Sequence, residues 1–299
     1  MSRIHEALKK AEEERVAGLA NNEVALTSEK LRLEAATVLV KKLALRKEEL
    51  LPESLRFESL IKRCSRTDWR PDSNTSLFMN SENGLRGGEK FRTLRSRLYQ
   101  IRSTRKLRSL LVTSAVPGEG KTFIANNLAS IIARQPDTKV LLIDADMRCP
   151  QMHITLGAPS TPGLTDYLRE EASLEDVLQR GNQGNLCFIP AGNVVSNPGE
   201  LVASSGLKEL LNLICPTFDW VIIDSPPVLP VSDSLVLADM VDGVLQVVAA
   251  ASTNCEDAQK ACREFQNKNL LGIVLNRGTE SSRHGYYSRY YDSRTKGRG

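Results

Sequence analysis

The chain has 299 residues, 41% hydrophobic and 25% charged, with a formal net charge of +4. Such a chain can bury roughly 75% of its unfolded surface, so neither disulfides nor a structural metal is needed to hold its core. The charge is segregated: nine Lys/Arg stand against Glu89 alone between Arg86 and Arg108, and six against two acids from Arg277 to Gly299. Either stretch suits a solvated helix face, a nucleic acid or an acidic membrane surface.

Cys64, Cys149, Cys187, Cys215, Cys255 and Cys262 form no C-x-x-C pair and follow no signal peptide, so reduced thiols in a cytoplasm are expected. No apolar run approaches the roughly 18 to 20 residues of a membrane span.

Residues 1–70 read as a helical extension. Ile4, Ala7, Leu8 and Ala11 follow helical spacing, and residues 31–50 are dense in helix formers. Residues 71–88 are rich in Ser, Asn and Gly and read as a linker, which predicts a domain over 89–277 and a flexible tail over 278–299. Short apolar runs then alternate with helix-length segments: 110–113, 140–143, 186–189, 220–223, 244–248 and 271–275. Continuous rather than alternating hydrophobicity implies strands buried on both faces. The fold class expected is therefore α/β, a mostly parallel sheet with helices on both faces and its ligands gathered at the C-terminal strand ends.

The first run leads into Ala115, Val116, Pro117, Gly118, Glu119, Gly120, Lys121 and Thr122, with helical residues from Phe123 onward. This is a phosphate loop, with Ala115 where the strict pattern has Gly. The loop residues Pro117 to Phe123, with backbone N–H donors from Gly118 onward, and a helix N-terminus would wrap the phosphates of ATP. Lys121 would reach the outer ones, and Thr122 would coordinate Mg²⁺. The second run ends in Asp144-Ala145-Asp146-Met147-Arg148; strand alternation puts the two carboxylates on one face, where a cation and a reacting hydroxyl would offset their burial. The fourth ends in Asp224-Ser225-Pro226-Pro227, a Walker B position for a Mg²⁺ ligand.

These three motifs, together with Asn197-Pro198-Gly199-Glu200-Leu201, resemble the bacterial tyrosine kinases of capsule and exopolysaccharide synthesis, a P-loop NTPase-like family. The resemblance implies an ATP- and Mg²⁺-dependent protein-tyrosine autokinase. Lys121 and Thr122 would sit on phosphate and metal, Asp146 and Asp224 on the metal, and Asp144 would activate the tyrosine hydroxyl. A carboxylate is a weak base for a phenol of pKa near 10, so Asp144 would act chiefly by positioning.

The resemblance also implies that Glu89, Arg92 and Arg95, an E-x-x-R-x-x-R segment, lie at contacts between subunits of a ring. Helical spacing turns Phe91, Leu94, Leu98 and Ile101 inward and leaves Glu89 and Arg92 exposed. Tyr286, Tyr287, Tyr290 and Tyr291, four of the six tyrosines, resemble the family's autophosphorylated cluster. Only about 85 residues precede the match, which resembles the split form of the family. That form implies a membrane polysaccharide co-polymerase as activator, a place at the inner face of the plasma membrane through that partner, and a phosphotyrosine phosphatase. No nucleic-acid partner is expected. The alternative is a partition- or septum-type ATPase switch that binds DNA or membrane; such relatives carry a second lysine where this chain has Val116.

Overall fold

Six apolar runs become strands; five have their β-branched and aliphatic side chains covered on both faces, whereas the sixth, at the sheet edge, leaves Ile273 and Leu275 exposed, contrary to the expected burial on both faces. The computed structural model describes residues 52–72, 75–77, 84–181, 185–250 and 252–278. Strands β1 (Ser65–Arg66), β2 (Ser109–Ser114), β3 (Val140–Asp144), β4 (Gln179–Arg180), β5 (Leu186–Ile189), β6 (Trp220–Asp224), β7 (Gly243–Ala249) and β8 (Leu270–Asn276) form one sheet in the order β1-β4-β5-β3-β6-β2-β7-β8. Only the β4–β5 pairing is antiparallel among the described residues. The α/β expectation holds, and each of the six predicted runs is a strand within a residue of its predicted ends.

The helices are α1 (Phe57–Arg63), α2 (Gly84–Thr104), α3 (Lys121–Ala133), α4 (Met152–Leu156), α5 (Leu164–Leu168), α6 (Leu174–Val177), α7 (Pro198–Ala203), α8 (Ser205–Ile214), α9 (Asp233–Ala238) and α10 (Cys255–Glu264). Leu110, Val112, Leu142, Phe188, Trp220, Ile222 and Val247 make a common core with Leu98 of α2 and Leu128 and Ile132 of α3. The intervening residues Leu111, Leu141, Ile143, Val221 and Ile223, of opposite pleat, are equally buried. Burying each such side chain stabilises the fold by about 1.5–3 kcal/mol, which is why these strands show no polar alternation.

Helix α2 buries the stripe read from its spacing: Phe91 and Leu98 are buried, and Leu94 and Ile101 pack against the core. Aromatic contacts hold it at both ends, Phe91 edge-on to Phe123 at 5.9 Å and Tyr99 beside Trp220 at 5.4 Å. The Arg102 guanidinium covers the same Trp220 ring at 4.9 Å.

The boundary of the sheet-bearing unit differs from the reading of 1–70 as helical extension and 71–88 as linker. The chain divides into two compact units, 1–56 and 57–299. In the second, α1 and β1 already belong to the sheet layer, because Phe57 and Leu60 are buried and Ser65 pairs with Gln179. Part of the expected linker is fastened down. The Leu77 N–H donates to Asn127 Oδ1 at 2.8 Å, Asn127 Nδ2 donates to the Thr75 carbonyl at 2.8 Å, and Asn126 Nδ2 donates to Ser76 at 3.0 Å. Helix α2 starts at Gly84, inside the predicted linker. A Ser/Asn-rich composition does not reveal that a neighbouring helix supplies partners for its backbone. The helical reading of residues 1–51 and the tail 279–299 lie outside the described residues.

Candidate active site

Strand β2 ends at Ser114 and helix α3 begins at Lys121, so the phosphate loop occupies 115–120. Gly118 and Gly120 adopt φ of +83° and +92°, a left-handed backbone that strains any L side chain. At Gly120 a Cβ would also come within 2.2 Å of Asn276 Nδ2. That amide donates to the Glu119 carbonyl at 2.8 Å, tying the end of β8 to the loop.

Glu119 is buried. Its Oε2 accepts the Val116 N–H at 2.8 Å, and its Oε1 accepts the Ala249 N–H at 3.2 Å and the Thr253 hydroxyl at 2.5 Å. Its carboxylate is thus committed to holding the loop's shape. Pro117 and Gly118 are exposed at the tip. Phe123 packs edge-on against Phe91.

The three aspartates meet at the C-terminal edge of β3 and β6. Asp144 and Asp224 are register partners. Thr122 Oγ1 donates to Asp224 Oδ2 at 2.6 Å, and Lys121 Nζ lies 2.7 Å from Asp146 Oδ2. Burial alone would lower the Lys121 ammonium, but Asp224 and Asp146 outweigh it and hold the group above the ordinary lysine range. Burial pushes Asp224 up to about 6 against the opposing pull of Lys121 and the Thr122 hydroxyl.

Asp144 is fully buried, and burial together with Asp224 raises it well above the carboxylate range. Its oxygens accept two backbone N–H groups, from Asp146 and Met152, each at 3.1 Å. Asp146 does not continue the strand alternation, because β3 stops at Asp144. The turn that follows brings Asp146 to Lys121, and Asp144, buried like Asp146, organises that turn by accepting its N–H groups.

Asp224 Oδ1 is buried with no hydrogen-bond partner, although its sister oxygen is bonded to Thr122. An orphaned carboxylate oxygen beside a threonine hydroxyl, next to a loop of left-handed glycines, fits a hard divalent cation shared with phosphate oxygens. Thr122, Asp224 and Asp146 are the side chains that would hold it.

A cleft of about 680 Å³ opens beside the loop. Phe91, Leu94, Phe123 and Leu275 line it together with Asn276, Arg277 and Lys90. Sequence reasoning missed this cleft, and Asn276 with it, because its walls come from α2, α3 and β8, which are far apart along the chain; the only local signal was Asn-Arg-Gly directly after a strand.

Glu89 and Arg92 are exposed on α2 and pair with each other. Arg95 turns inward, and its Nη1 donates to the Ile131 carbonyl near the end of α3 at 3.0 Å. Tyr286, Tyr287, Tyr290 and Tyr291 lie outside the described residues.

A family model described as an AAA domain matches residues 110–270. Tyrosine-protein kinase YwqD of Bacillus subtilis (strain 168) is 38% identical over 204 residues, which make up 68% of this chain and 85% of that one. The chimerical protein CapA2B2 superposes with a TM-score of 0.64 at 28% identity, over 72% of this chain and 94% of its own. The kinase domain of Escherichia coli tyrosine kinase ETK does so with a TM-score of 0.60 at 32% identity, over 66% and 80%. The phosphate loop and its three aspartates thus sit in the stretch shared with proteins named for tyrosine phosphorylation, and the chain belongs to the bacterial tyrosine-protein kinases.

Proposed function

We propose that this kinase is an ATP- and Mg²⁺-dependent autokinase of exopolysaccharide or capsule synthesis, setting polymer chain length or export, that phosphorylates Tyr286, Tyr287, Tyr290 and Tyr291 of a neighbouring copy. The observation that carries the reading is the meeting of Lys121, Thr122, Asp146 and Asp224 at the sheet edge from which the tail departs.

The loop's N–H groups and the N-terminus of α3 bind the phosphates of ATP, and the adjoining cleft takes the base between Phe123 and the Asn276–Arg277 corner. Bound Mg²⁺ supplies charge neutralisation across the phosphates. Lys121 turns from Asp146 toward the transferred group and stabilises the charge that develops there. Asp144 is raised by burial and fixed by two backbone N–H groups; it orients the acceptor side of the site through the Asp146 turn.

Asn276 touches the loop, and the ten residues from there to Tyr286 reach up to about 33–36 Å, ample for the chain's own site or a neighbour's. Glu89 and Arg92, solvent-facing on α2, support contact between copies in a ring. In the split form a membrane co-polymerase would recruit and activate the kinase, which would place it at the inner face of the plasma membrane, and a phosphatase would reset the tail. No helix among the described residues is long and apolar enough to cross a membrane. Val116 at the position of a second loop lysine disfavours the partition-type switch.

The test mixes two full-length copies. One carries Lys121→Met and an intact tail; the other is active but has the four tail tyrosines changed to Phe. Phosphotyrosine on the Lys121→Met chain is the expected result. Its absence, under conditions where wild type autophosphorylates, defeats transfer between copies, and phosphotyrosine-free wild type with the co-polymerase's cytoplasmic segment added defeats the autokinase reading.

A further inference from the structure

Arg148 closes the Asp146 turn and has no part in the functions assigned so far. Its Nε donates to Asp233 Oδ2 at 2.8 Å and its Nη2 to Asp233 Oδ1 at 3.1 Å, a two-pronged pair. Asp233 is buried to 4% exposure at the start of α9, whereas the Arg148 side chain keeps 39% of its surface in solvent. Hydrogen bonding to Asp233 holds the guanidinium above its ordinary range.

The pair is built into the catalytic edge from three sides. Asp146 divides the site: its Oδ2 faces Lys121, while its Oδ1 accepts the N–H of Cys149 at 3.1 Å and so fixes the turn that carries Arg148. Ser234, next to Asp233, donates to Ser225 Oγ at 3.1 Å, and Ser225 directly follows Asp224. Thr113 of β2 donates to the Pro226 carbonyl at 3.0 Å, locking the same exit. Helix α7 closes the third side at Gly199, where a Cβ would stand 3.3 Å from Arg148 Nη2 and 3.4 Å from Asp233 Oδ1.

A guanidinium immobilised in this way has paid its rotamer entropy before any ligand arrives, and Asp233 cancels much of its net charge. What is left is a directional donor edge: among the described residues Arg148 Nη1 makes no hydrogen bond. Such an edge suits a neutral oxygen better than a polyphosphate. The Arg148 side chain is also the more accessible of the two cations around Asp146, 39% exposed against 12% for Lys121.

We propose that Arg148 binds the acceptor, its Nη1 edge donating to a neutral oxygen of the incoming tyrosine segment, and that Asp233 is the positioning residue that aims it. The proposal rests on the kinase activity and adds to it the residue that receives the second substrate.

The experiment compares full-length wild type, Arg148→Lys, Asp233→Asn and the double variant in two measurements: the rate of phosphotyrosine formation at saturating Mg-ATP, and the equilibrium affinity for Mg-ATP. Phosphotyrosine formation is expected to fall about 10- to 100-fold in each, no further in the double variant, because a lysine does not reproduce the fork and a misaimed donor is nearly as poor as none. Nucleotide affinity is expected to stay within about twofold of wild type. If Asp233→Asn fails to fold, Arg148→Lys decides alone, since it changes a part-exposed side chain and keeps the charge. Phosphotyrosine formation within twofold of wild type in Arg148→Lys overturns the assignment. So does a parallel loss of Mg-ATP affinity, which would put Arg148 on the nucleotide instead. A wild-type chain that binds Mg-ATP but never forms phosphotyrosine, even with its activator, would sink the kinase reading and this one with it.

Discussion

The Glu119 carboxylate accepts the Thr253 hydroxyl at 2.5 Å, joining the middle of the phosphate loop to the segment after β7 across 134 positions of chain. With Val116 and Ala249 also bonded to it, this one side chain shapes the loop before any phosphate is present. Glu119→Ala should leave the Val116 N–H without its acceptor, while the Ala249 N–H keeps the Thr253 hydroxyl oxygen at 3.2 Å, and cost about 1–3 kcal/mol, read as a lower Tm, with ATP affinity weakened about tenfold. Glu119→Gln keeps one acceptor and should fall between. Equal Mg-ATP affinity in wild type and Glu119→Ala, measured calorimetrically, would show that the loop holds its form without the clamp.

Lys121→Met should lower phosphotransfer by about 100- to 1,000-fold, the usual effect of removing one preorganised donor from a charge-developing site. The ion-pair geometry adds a second expectation. Without Lys121, Asp146 and Asp224 lose their shared counter-charge, which should cost about 3 kcal/mol in the nucleotide-free chain. Adding Asp146→Asn should recover much of that stability and none of the activity. Denaturant unfolding of the two single variants and the double gives the coupling directly.

Glu89 and Arg92 are separable from Arg95. The Arg95 bond to Ile131 lies within one copy, so Arg95→Ala alone should cost about 0.5–1.5 kcal/mol. Glu89→Ala with Arg92→Ala should leave Tm nearly unchanged while shifting an oligomeric preparation toward monomer. Light scattering that shows an unaltered mass for that double variant would assign the pair to an ordinary solvated helix face.

Asp242 anchors the start of β2: its Oδ2 accepts the N–H groups of Arg108 at 2.9 Å and Ser109 at 3.0 Å, and Lys106 lies 3.0 Å from its Oδ1. Burial works to raise this carboxyl, but the two N–H groups and Lys106 outweigh it and hold it below the ordinary value. A folded-state pKa below the unfolded value of about 3.9 makes the contribution complete above that pH and lost as pH falls through the folded value. Asp242→Asn should therefore lower stability by about 2 kcal/mol at pH 7, with the difference from wild type narrowing below about pH 4. A stability difference between variant and wild type that stays constant on acidification through that range would assign the loss to packing.

The strands and the phosphate loop were legible because each is a contiguous pattern: Val140-Leu141-Leu142-Ile143 states its own burial, and Gly118-Glu119-Gly120-Lys121-Thr122 its own chemistry. What escaped was written across the chain. Asp233 has no local signature that would link it to Arg148, 85 positions earlier, and Asn276 none that would link it to Glu119, 157 positions away. β1 and β4 have two residues each, too few for periodicity, and they form only because β5 offers an edge. Strand alternation was not the reason Asp144 and Asp146 gather beside Lys121: β3 ends at the first of the two, and the turn that follows brings the second there.

Helix α1 packs at the strand-entry side of the sheet: the Phe57 ring meets Phe218 edge-on at 5.6 Å, just ahead of β6, and Lys139, just ahead of β3, lies over it at 5.0 Å. Asp144 and Asp224 stand at the opposite ends of those same two strands. The chain therefore enters this unit at the underside of a plate whose upper rim carries the chemistry. The thickness between them is the length of β3 and β6, five residues or about 16 Å of hydrogen-bonded backbone. Entry and chemistry are thus separated by the full length of the two central strands, and β8 ends on the same rim as the phosphate loop.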